Sequence, residues 1–579
     1  MNKRLIIAMA LWLIVFMVWM GYYGSQQADV EPETVETVET DDIPVAVTDA
    51  PERTEGVEHR GIVEARSDED EAESRAALVT TEKFTIGLSS IDGIVDTWKL
   101  NEYEHGEEKI NFIQKNLKYL GNFRIVFQGF EKAAQQPELQ FAHEEKDPFT
   151  HIFTAAVPDA QGIFLEKVYT FHPEEYFFDL RVRLRNTTDV PWQNVYRDTY
   201  GLVWGSPVFW SDDDSRYEEL NLLSYTMQGD LEKIKPEQKR TSAFYWLGIE
   251  DRYFLMSVMP VTADGKLRTD NRINSADIRI EGDLPDKTAQ FSLNRSEAIV
   301  AANGELVDHY RVFLGPKRYN LLSSDSLAPY NLDSVISGYF LTPRFLVVGV
   351  ERLMYAIYSV INNFGIAIIF LTLVVKIILH PLTHKSFISM RKMQLLQPKL
   401  AALKEQYKND PKAMQQRTME LYKKEKVNPI GGCLPMLLQF PIFIALYQLL
   451  PRLVDLKNVS FLWIKDLSSP DVVFALPFFE NVPILPSTFN LLPLIMTGVS
   501  ILQSKIQSKG HAAGAEVTQQ QQSQRKMMMF LPLIFLFIFY SMPSGLVLYW
   551  TVQNIFSIIE QMLINKKYTS LGSMEAQKA

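Results

Sequence analysis

Lys376 is the only charged residue in an otherwise apolar run, residues 364–379. A charge near the centre of a lipid bilayer costs about 2.5 to 3.5 kcal/mol on insertion scales, so the ammonium is expected to face protein or water. The residue is therefore a candidate for a functional charge inside a membrane. Snorkelling is the alternative, because Lys376 lies about six residues, or ~9 Å, from the end of the run near Leu382. The run by itself does not decide between the two.

Polar side chains inside other apolar segments favour a functional charge. Each of them needs a hydrogen-bond partner or water, and hydrocarbon supplies neither. Together with Lys376 they suggest a water-filled cavity inside a helix bundle, although close packing of helices would satisfy several of them. These residues are Thr372, Gln439, Gln448, Thr497, Ser500, Gln553 and Asn554.

A basic segment, residues 383–427, follows the first run and carries eleven Lys or Arg against four acidic residues, 11 − 4 = +7. Apolar residues recur in it at alternating spacings of three and four, which is typical of a helix with one packed face. Asn409-Asp410-Pro411 interrupts this pattern, so a helical hairpin is predicted. Its basic face would contact lipid head groups, ribosomal RNA or a targeting factor. A solvated loop is the alternative, and it explains the charge but not the spacing.

Patterns typical of catalytic sites are missing from the sequence. Cys433 is the only cysteine, which excludes an intrachain disulfide and a CxxC site. The nine histidines show no HExxH or comparable spacing, and no phosphate-binding loop, GxSxG or dinucleotide fingerprint is present. The net charge of −11 argues against nucleic-acid binding as the main role. We predict no enzyme activity and no cofactor.

Six apolar segments are candidates to cross a membrane and would position these residues. The first, residues 5–23, follows Lys3 and Arg4, and its length and the missing cleavage site favour an anchor over a cleaved signal peptide. The basic segments 383–427 and 504–526 and the tail should be cytoplasmic, which leaves 24–343 and 451–490 outside and both termini inside. The other candidates are residues 364–379, 429–450, 491–506, 527–541 and 544–563.

Residues 25–325 differ from the apolar segments in composition and in the pattern of their apolar residues. Residues 25–78 are acidic and poor in aromatics, which predicts a disordered linker. Alternating β-branched and aromatic residues then predict an extracytoplasmic β-sandwich, residues 79–325. Its aromatics Trp204, Trp210 and Trp246 would serve a sugar-binding platform, but aromatics in strands more often belong to a core.

The fold class predicted is a polytopic α-helical membrane protein with six transmembrane helices and an extracytoplasmic all-β sandwich. The predicted parts are an uncleaved anchor (1–24), the linker (25–78), the β domain (79–325), a connector with an interfacial amphipathic helix (326–363), a five-helix core (364–566) that contains the hairpin (383–427), and a cytoplasmic tail (567–579).

Three separated motifs in the C-terminal part resemble the signature regions of the YidC and Oxa insertases. They are KIILHPLTHKSFISMRKMQLLQPKL (376–400), LYKKEKVNPIGGCLPMLLQFPIFIALYQLL (421–450) and FLPLIFLFIFYSMPSGLVLYWTVQNIFSIIEQ (530–561). The resemblance covers roughly residues 340–565. The anchor and the β domain are similar in arrangement to the Gram-negative form of the family, which has a periplasmic β-supersandwich.

The resemblance implies a chaperone and insertase of the bacterial inner membrane that moves nascent membrane proteins into lipid, alone or beside the Sec translocon. Its groove carries a positive charge at the position of Lys376, where many members have Arg. The remaining groove residues would be Thr372, Gln439 and Trp550, and the apolar slide would consist of Phe440, Phe443, Met528 and Phe535. The hairpin residues expected to act at the entrance are Arg391, Lys392, Leu396, Leu400, Leu403 and Tyr407.

The expected partners are nascent membrane proteins, the Sec translocon, the ribosome and membrane lipids, with no small-molecule substrate. A secondary transporter would be expected to show internal repeats and broken helices, and the sequence shows neither. A glycan-modifying envelope enzyme would require paired carboxylates in a cleft. The run Asp212, Asp213 and Asp214 is more typical of an exposed turn.

Overall fold

The computed structural model describes residues 75–105, 108–113, 121–205, 220–235, 238–270, 272–281, 288–336, 342–408, 410–425, 434–476, 488–508 and 530–576. The predicted anchor, nearly all of the acidic linker, Trp210 and Met528 lie outside these residues. Two regions follow each other along the described chain, a β domain and a helical region.

The described residues of the β domain form twenty strands. They are β1 (Arg75–Thr80), β2 (Phe84–Ser89), β3 (Val95–His105), β4 (Glu108–Asn111), β5 (Arg124–Val126), β6 (Ala142–Asp147), β7 (Thr150–Ala156), β8 (Ile163–Phe171), β9 (Phe177–Asn186), β10 (Trp192–Gln193), β11 (Asp198–Gly205), β12 (Asn221–Thr226), β13 (Leu231–Lys233), β14 (Arg240–Ser242), β15 (Phe244–Glu250), β16 (Phe254–Val261), β17 (Ile273–Glu281), β18 (Thr288–Ser296), β19 (Ile299–Val300) and β20 (Glu305–Pro316).

Among the described residues, three antiparallel sheets of four or more strands surround one main apolar core, and β10 pairs with β19 in a fourth, two-stranded sheet. The largest has nine strands in the order β13-β12-β15-β16-β20-β9-β8-β7-β6, the second has the order β14-β17-β18-β11-β5, and the third has the order β1-β2-β3-β4. Strand β9 shows why these residues form strands, since Leu180, Val182 and Leu184 point into the core while Arg181 and Arg183 between them are more exposed. The residues that the sequence analysis predicted to form a β-sandwich thus form a β-rich domain.

The large aromatics of this domain belong to its core. Trp98, Trp204 and Trp246 are fully buried, and the Trp246 indole N–H donates to Tyr330 O at 2.8 Å. A ligand platform needs exposed ring faces, so Trp204 and Trp246 cannot form one in this structure.

The helical region contains eight α-helices among the described residues. They are α1 (Tyr319–Leu322), α2 (Arg344–Ile361), α3 (Phe364–Gln406), α4 (Pro411–Lys424), α5 (Leu434–Leu449), α6 (Leu491–Ser508), α7 (Phe530–Phe539) and α8 (Ser544–Ala576). A short hairpin, β21 (Val472–Ala475) with β22 (Thr488–Asn490), precedes α6. Short 3-10 helices lie at Phe130–Gln135, Ala328–Tyr330, Leu332–Val335, Leu450–Arg452 and Val454–Leu456.

Helix α3 is longer than the sequence analysis expected, because the apolar run and the first arm of the hairpin form one helix of 43 residues. Asn363 caps its start by accepting from Ile366 N at 3.0 Å. After α3 ends, Asp410 caps α4 through Ala413 N at 3.0 Å. The interruption between the two helices coincides with the sequence Asn409-Asp410-Pro411.

By length and composition, one helix among the described residues can cross a membrane, the part of α3 from Phe364 to Ser389. Leu491–Ile506 and Phe530–Phe539 are apolar but shorter. The number of six crossings therefore stays a prediction.

The β domain contacts the helical region through the loop that follows α5. The Arg252 guanidinium is buried and donates from Nε to Pro451 O at 2.6 Å and from Nη2 to Ser468 O at 2.8 Å. Arg318 and Tyr355 both hydrogen-bond to the Asp455 carboxylate. These contacts, which we call the domain joint, connect β-domain residues to α2 and to the loop.

Glu351 of α2 completes the domain joint. Its Oε1 accepts from the backbone N–H of Tyr319 at 2.7 Å, where the chain leaves the last strand. Burial raises the pKa of the Glu351 carboxyl to about 7, and this hydrogen bond opposes the rise.

Candidate functional site

Lys376 lies between helices α3 and α8. Its side chain is only 9% exposed, and Nζ donates to Ser557 Oγ at 2.8 Å and lies 3.0 Å from Glu560 Oε2. Ser557 and Glu560 are three residues apart, so one face of α8 presents both. This geometry is that of a buried charge and not of a snorkelling one.

Glu560 is the partner that the sequence analysis missed. Its carboxylate is buried, and Oε1 accepts from Thr383 Oγ1 at 3.2 Å and lies 2.9 Å from His380 Nδ1. Glu560 is the only charged residue in the predicted span 544–563, which is the same signal that singled out Lys376. A buried carboxylate requires such partners, because an unpaired one carries a desolvation penalty of several kcal/mol.

The other predicted groove residues do not gather around Lys376. Thr372 lies one turn before it on α3, and its hydroxyl donates to Ile368 O at 2.7 Å. Gln439 is partly buried on α5. Trp550 belongs to a separate aromatic cluster. Among the described residues, the contacts of Lys376 are with Ser557, Glu560 and the ring of Phe387.

The aromatic cluster joins helices α5, α7 and α8. Trp550 has its ring centroid 5.1 Å from that of Phe443, 5.9 Å from Phe535 and 5.3 Å from Phe539. Two residues of the predicted slide thus meet one predicted groove residue. Phe539 was missed, although it follows Phe535 by one helical turn. Phe440 is partly buried on α5.

Hydrogen bonds within and between helices satisfy several of the polar groups that had suggested a cavity. Thr497 and Ser500 donate to carbonyls one turn earlier on α6. Asn554 donates to Ser500 Oγ at 2.8 Å and Gln448 donates to Thr342 Oγ1 at 2.8 Å. The sequence analysis had left open that contacts between helices, and not a water-filled cavity, satisfy these groups. Gln448 Oε1 and Gln553 Oε1 are both buried without a hydrogen-bond partner in the part of the chain that the structure describes.

An apolar face of α3 lies next to the buried pair. Ile377 and Ile378 directly follow Lys376, and they are 63% and 66% exposed. Phe537 of α7 and Leu563 of α8 are also exposed. Apolar side chains at such exposure are suited to contact with lipid or with an apolar segment of another chain.

The two arms of the predicted hairpin, residues 383–406 of α3 and helix α4, contact each other. Lys399 Nζ lies 2.7 Å from Glu425 Oε1 across the two arms. Leu396 is buried and Lys392 is exposed, and the side chain of Arg391 lies outside the described part. The other apolar residues that recur at spacings of three and four in the first arm are partly buried: Leu400, Leu403 and Tyr407.

Comparison with known proteins agrees with this division into two regions. A family model described as the YidC periplasmic domain matches residues 77–340, and one described as the 60Kd inner membrane protein matches residues 356–571. The β-rich region is thus a periplasmic domain, and the chain is an inner-membrane protein.

Curated relatives match over most of the chain. The membrane protein insertase YidC of Pelobacter propionicus is 31% identical, with 98% of this chain and 99% of the relative covered. The insertase of the same name from Syntrophus aciditrophicus is 34% identical over 70% of this chain and 67% of the relative. A solved structure of an active YidC insertase is 19% identical and covers 86% of this chain and 93% of that chain, with a TM-score of 0.34. On the curated relatives and the two family models, this chain belongs to the YidC family of membrane protein insertases.

Proposed function

We propose that the chain inserts nascent membrane proteins through a groove bordered by α3, α5, α7 and α8, and that Lys376 supplies its positive charge. The observation that carries the proposal is the buried pair of Lys376 and Glu560 beside the exposed Ile377 and Ile378. An electrostatic site and an apolar face are thereby adjacent. A segment with an acidic flank and an apolar core requires both.

The pair suggests how the charge is kept until a substrate arrives. Glu560 neutralises Lys376 in the resting state, which lowers the cost of a buried ammonium. A carboxylate in the extracytoplasmic tail of a substrate would replace Glu560 as partner, while Thr383 and His380 would retain the Glu560 carboxylate. The ammonium then acts as a point charge, without the two-pronged geometry of an arginine.

The driving force would come from the substrate itself. Burial of apolar side chains in lipid yields about 25 cal/mol per Å². The membrane potential acts in addition on acidic tails, at ~2.3 kcal/mol per charge and 100 mV. A hydrated groove would shorten the dry path for polar flanks. Gln553 Oε1, which has no hydrogen-bond partner among the described residues, would be a polar atom in the groove lining that can bind water.

The aromatic cluster would form the apolar slide at the other side of the groove. Trp550 and Phe535 are partly buried, so their rings combine a packed side with an accessible one. Phe539 is buried and would fix their orientation. An incoming helix would exchange contacts with these rings before it reaches lipid.

The remaining parts would organise the process. We place both termini and the hairpin in the cytoplasm, with six crossings and the hairpin close to the ribosome and to lipid head groups. The domain joint would hold the periplasmic domain on the extracytoplasmic loop, where the domain would act as a scaffold or as a surface for the Sec translocon. The chain would also act as a chaperone for folding membrane proteins, without nucleotide or small-molecule substrate.

The test is complementation of an insertase-depleted bacterium by the wild type, Lys376→Arg, Lys376→Ala and Lys376→Glu at matched expression. Translocation of a short acidic tail is scored. We expect the wild type and Lys376→Arg to function and Lys376→Glu to fail, because a carboxylate there repels the tail. Lys266→Glu is the matched control, since Lys266 pairs with Asp264 at 2.7 Å on the exposed surface of the β domain.

Two results would contradict the proposal. If all three Lys376 variants match the wild type, the charge has no role in insertion. A related insertase that restores growth serves as the positive control. If the wild type of this chain is expressed normally but does not restore insertion where that control does, the proposed insertase function is wrong.

A further inference from the structure

Three side chains of metal-ligand type meet beside the buried pair. His380 and His384 lie one turn apart on α3, and Glu560 approaches from α8. One ligand atom of each lies within 4.8 Å of those of the other two. The sequence analysis was wrong to find no spacing comparable to HExxH, because His380 and His384 are four residues apart, as are the two histidines of that motif. The glutamate comes from position 560 and not from between them, so the motif itself is absent.

The hydrogen bonding of the cluster is incomplete. His380 Nδ1 lies 2.9 Å from Glu560 Oε1. His384 Nδ1, in contrast, is buried and has no hydrogen-bond partner among the residues that the structure describes. A buried imidazole nitrogen without a partner is uncommon in native proteins, and it points to a ligand that the protein itself does not supply.

We propose that His380, His384 and Glu560 bind a divalent transition-metal cation, with Zn²⁺ as the best match. Two imidazoles and one carboxylate form a known ligand set of zinc, with the fourth position open to water or to a substrate side chain. Mg²⁺ and Ca²⁺ prefer sites made of oxygen ligands and fit less well.

The geometry requires only a small closure of the ligands. Zinc bonds of 2.0–2.1 Å in a tetrahedron place ligand atoms about 3.3 Å apart. The most distant pair must therefore approach by about 1.5 Å, which side-chain rotation can provide. His380 is exposed and free of tight packing on one side, so it is the ligand suited to move.

The site would be coupled to Lys376 through Glu560. Oε2 of this carboxylate lies near the Lys376 ammonium and Oε1 faces His380. A bound cation and the ammonium repel each other and compete for one carboxylate. Occupation of the metal site therefore weakens the pair, and under the proposed function this makes Lys376 more available to an acidic substrate. Metal binding itself does not depend on that function.

The experiment uses full-length protein purified in detergent, stripped with a chelator and titrated with Co²⁺. We expect one equivalent to bind, with visible absorption bands of a tetrahedral site that Zn²⁺ removes. His384→Ala should weaken Co²⁺ binding about tenfold or more. This variant leaves Lys376 and Glu560 in place and removes no hydrogen bond of His384 Nδ1, so only a small loss of stability is expected from it.

Two further variants make the result specific. His143 and His151 form another close pair, with 3.1 Å between Nε2 and Nδ1, and the double change His143→Ala with His151→Ala should leave the bands unchanged. Lys376→Met should strengthen Co²⁺ binding severalfold, because it removes the competing cation. An absence of bands, bands that persist in His384→Ala, or bands lost in the control pair would each overturn the proposal. The insertion assay is not involved, so failure here leaves the proposed function untouched.

Discussion

Two buried charged networks, one around Asp308 in the β domain and one around Glu560 in the helical region, differ in how completely the protein satisfies them. In the β domain, the fully buried Asp308 receives hydrogen bonds from Arg295 at 2.8 Å, Tyr200 at 2.9 Å and Arg268 at 3.3 Å. In the helical region, the Glu560 carboxylate contacts Lys376, Thr383 and His380, but the neighbouring His384 Nδ1 has no hydrogen-bond partner among the described residues. The first network is saturated by the protein and serves stability. The second leaves capacity for ligands, which is typical of a functional site.

The largest effect should follow from breaking the saturated network. Asp308→Ala leaves the buried Arg295 without its carboxylate and leaves Arg268 with Asp270 alone, and it should lower the free energy of unfolding of the β domain by about 3–5 kcal/mol. Hydrogen exchange of the amides of β20 in the full-length protein measures this loss. A change below about 1 kcal/mol would show that the network does not stabilise the domain.

A smaller effect is expected at the domain joint and depends on pH. The pKa of Glu351 is raised by burial from 4.5 to about 7, so the folded state binds an additional proton between these values. Stability is therefore lost as the pH rises through about 7, by about 2 kcal/mol between pH 5.5 and pH 8. Comparison of thermal unfolding at the two pH values measures it. Glu351→Gln should remove this part of the pH dependence, and an unchanged dependence would assign it to other groups.

The smallest stability effect is expected at Lys376. A double-mutant cycle with Lys376→Met and Glu560→Gln should give a coupling of only about 1–2 kcal/mol, because Thr383 and His380 still hold Glu560. Unfolding by denaturant in mixed micelles measures the cycle. A coupling as large as the loss at Asp308 would mean that the pair is a structural element like the β-domain network.

Part of this picture could be predicted from residues alone. The alternation in strands such as β9 indicated the β domain, and the lone charge in an apolar run singled out Lys376. The partner could not be assigned, because pairing of Lys376 with Glu560 depends on how α3 and α8 pack, 184 positions apart in the sequence (560 − 376). The location of Trp550 in the aromatic cluster likewise depends on packing. The sequence of a helix shows which of its faces is apolar, but not which other helix packs against that face.

The boundaries of helices were harder to predict than their existence. Charge asymmetry suggested that the apolar run ends near Leu382 and that the hairpin begins at residue 383. The hydrogen bonds of the helical backbone continue through this change of composition, and α3 ends only at Gln406. Asp410 could be identified as a break because it precedes a proline and caps α4.

The domain joint has a consequence for how freely the sequence of this chain can change. Arg252 binds the loop through the carbonyl oxygens of Pro451 and Ser468, groups that every amino acid carries. Substitutions at these two positions leave both acceptors in place as long as the backbone keeps its path. The selective constraint from these two hydrogen bonds therefore falls on one arginine and on the course of a loop, and hardly on the side chains of the loop.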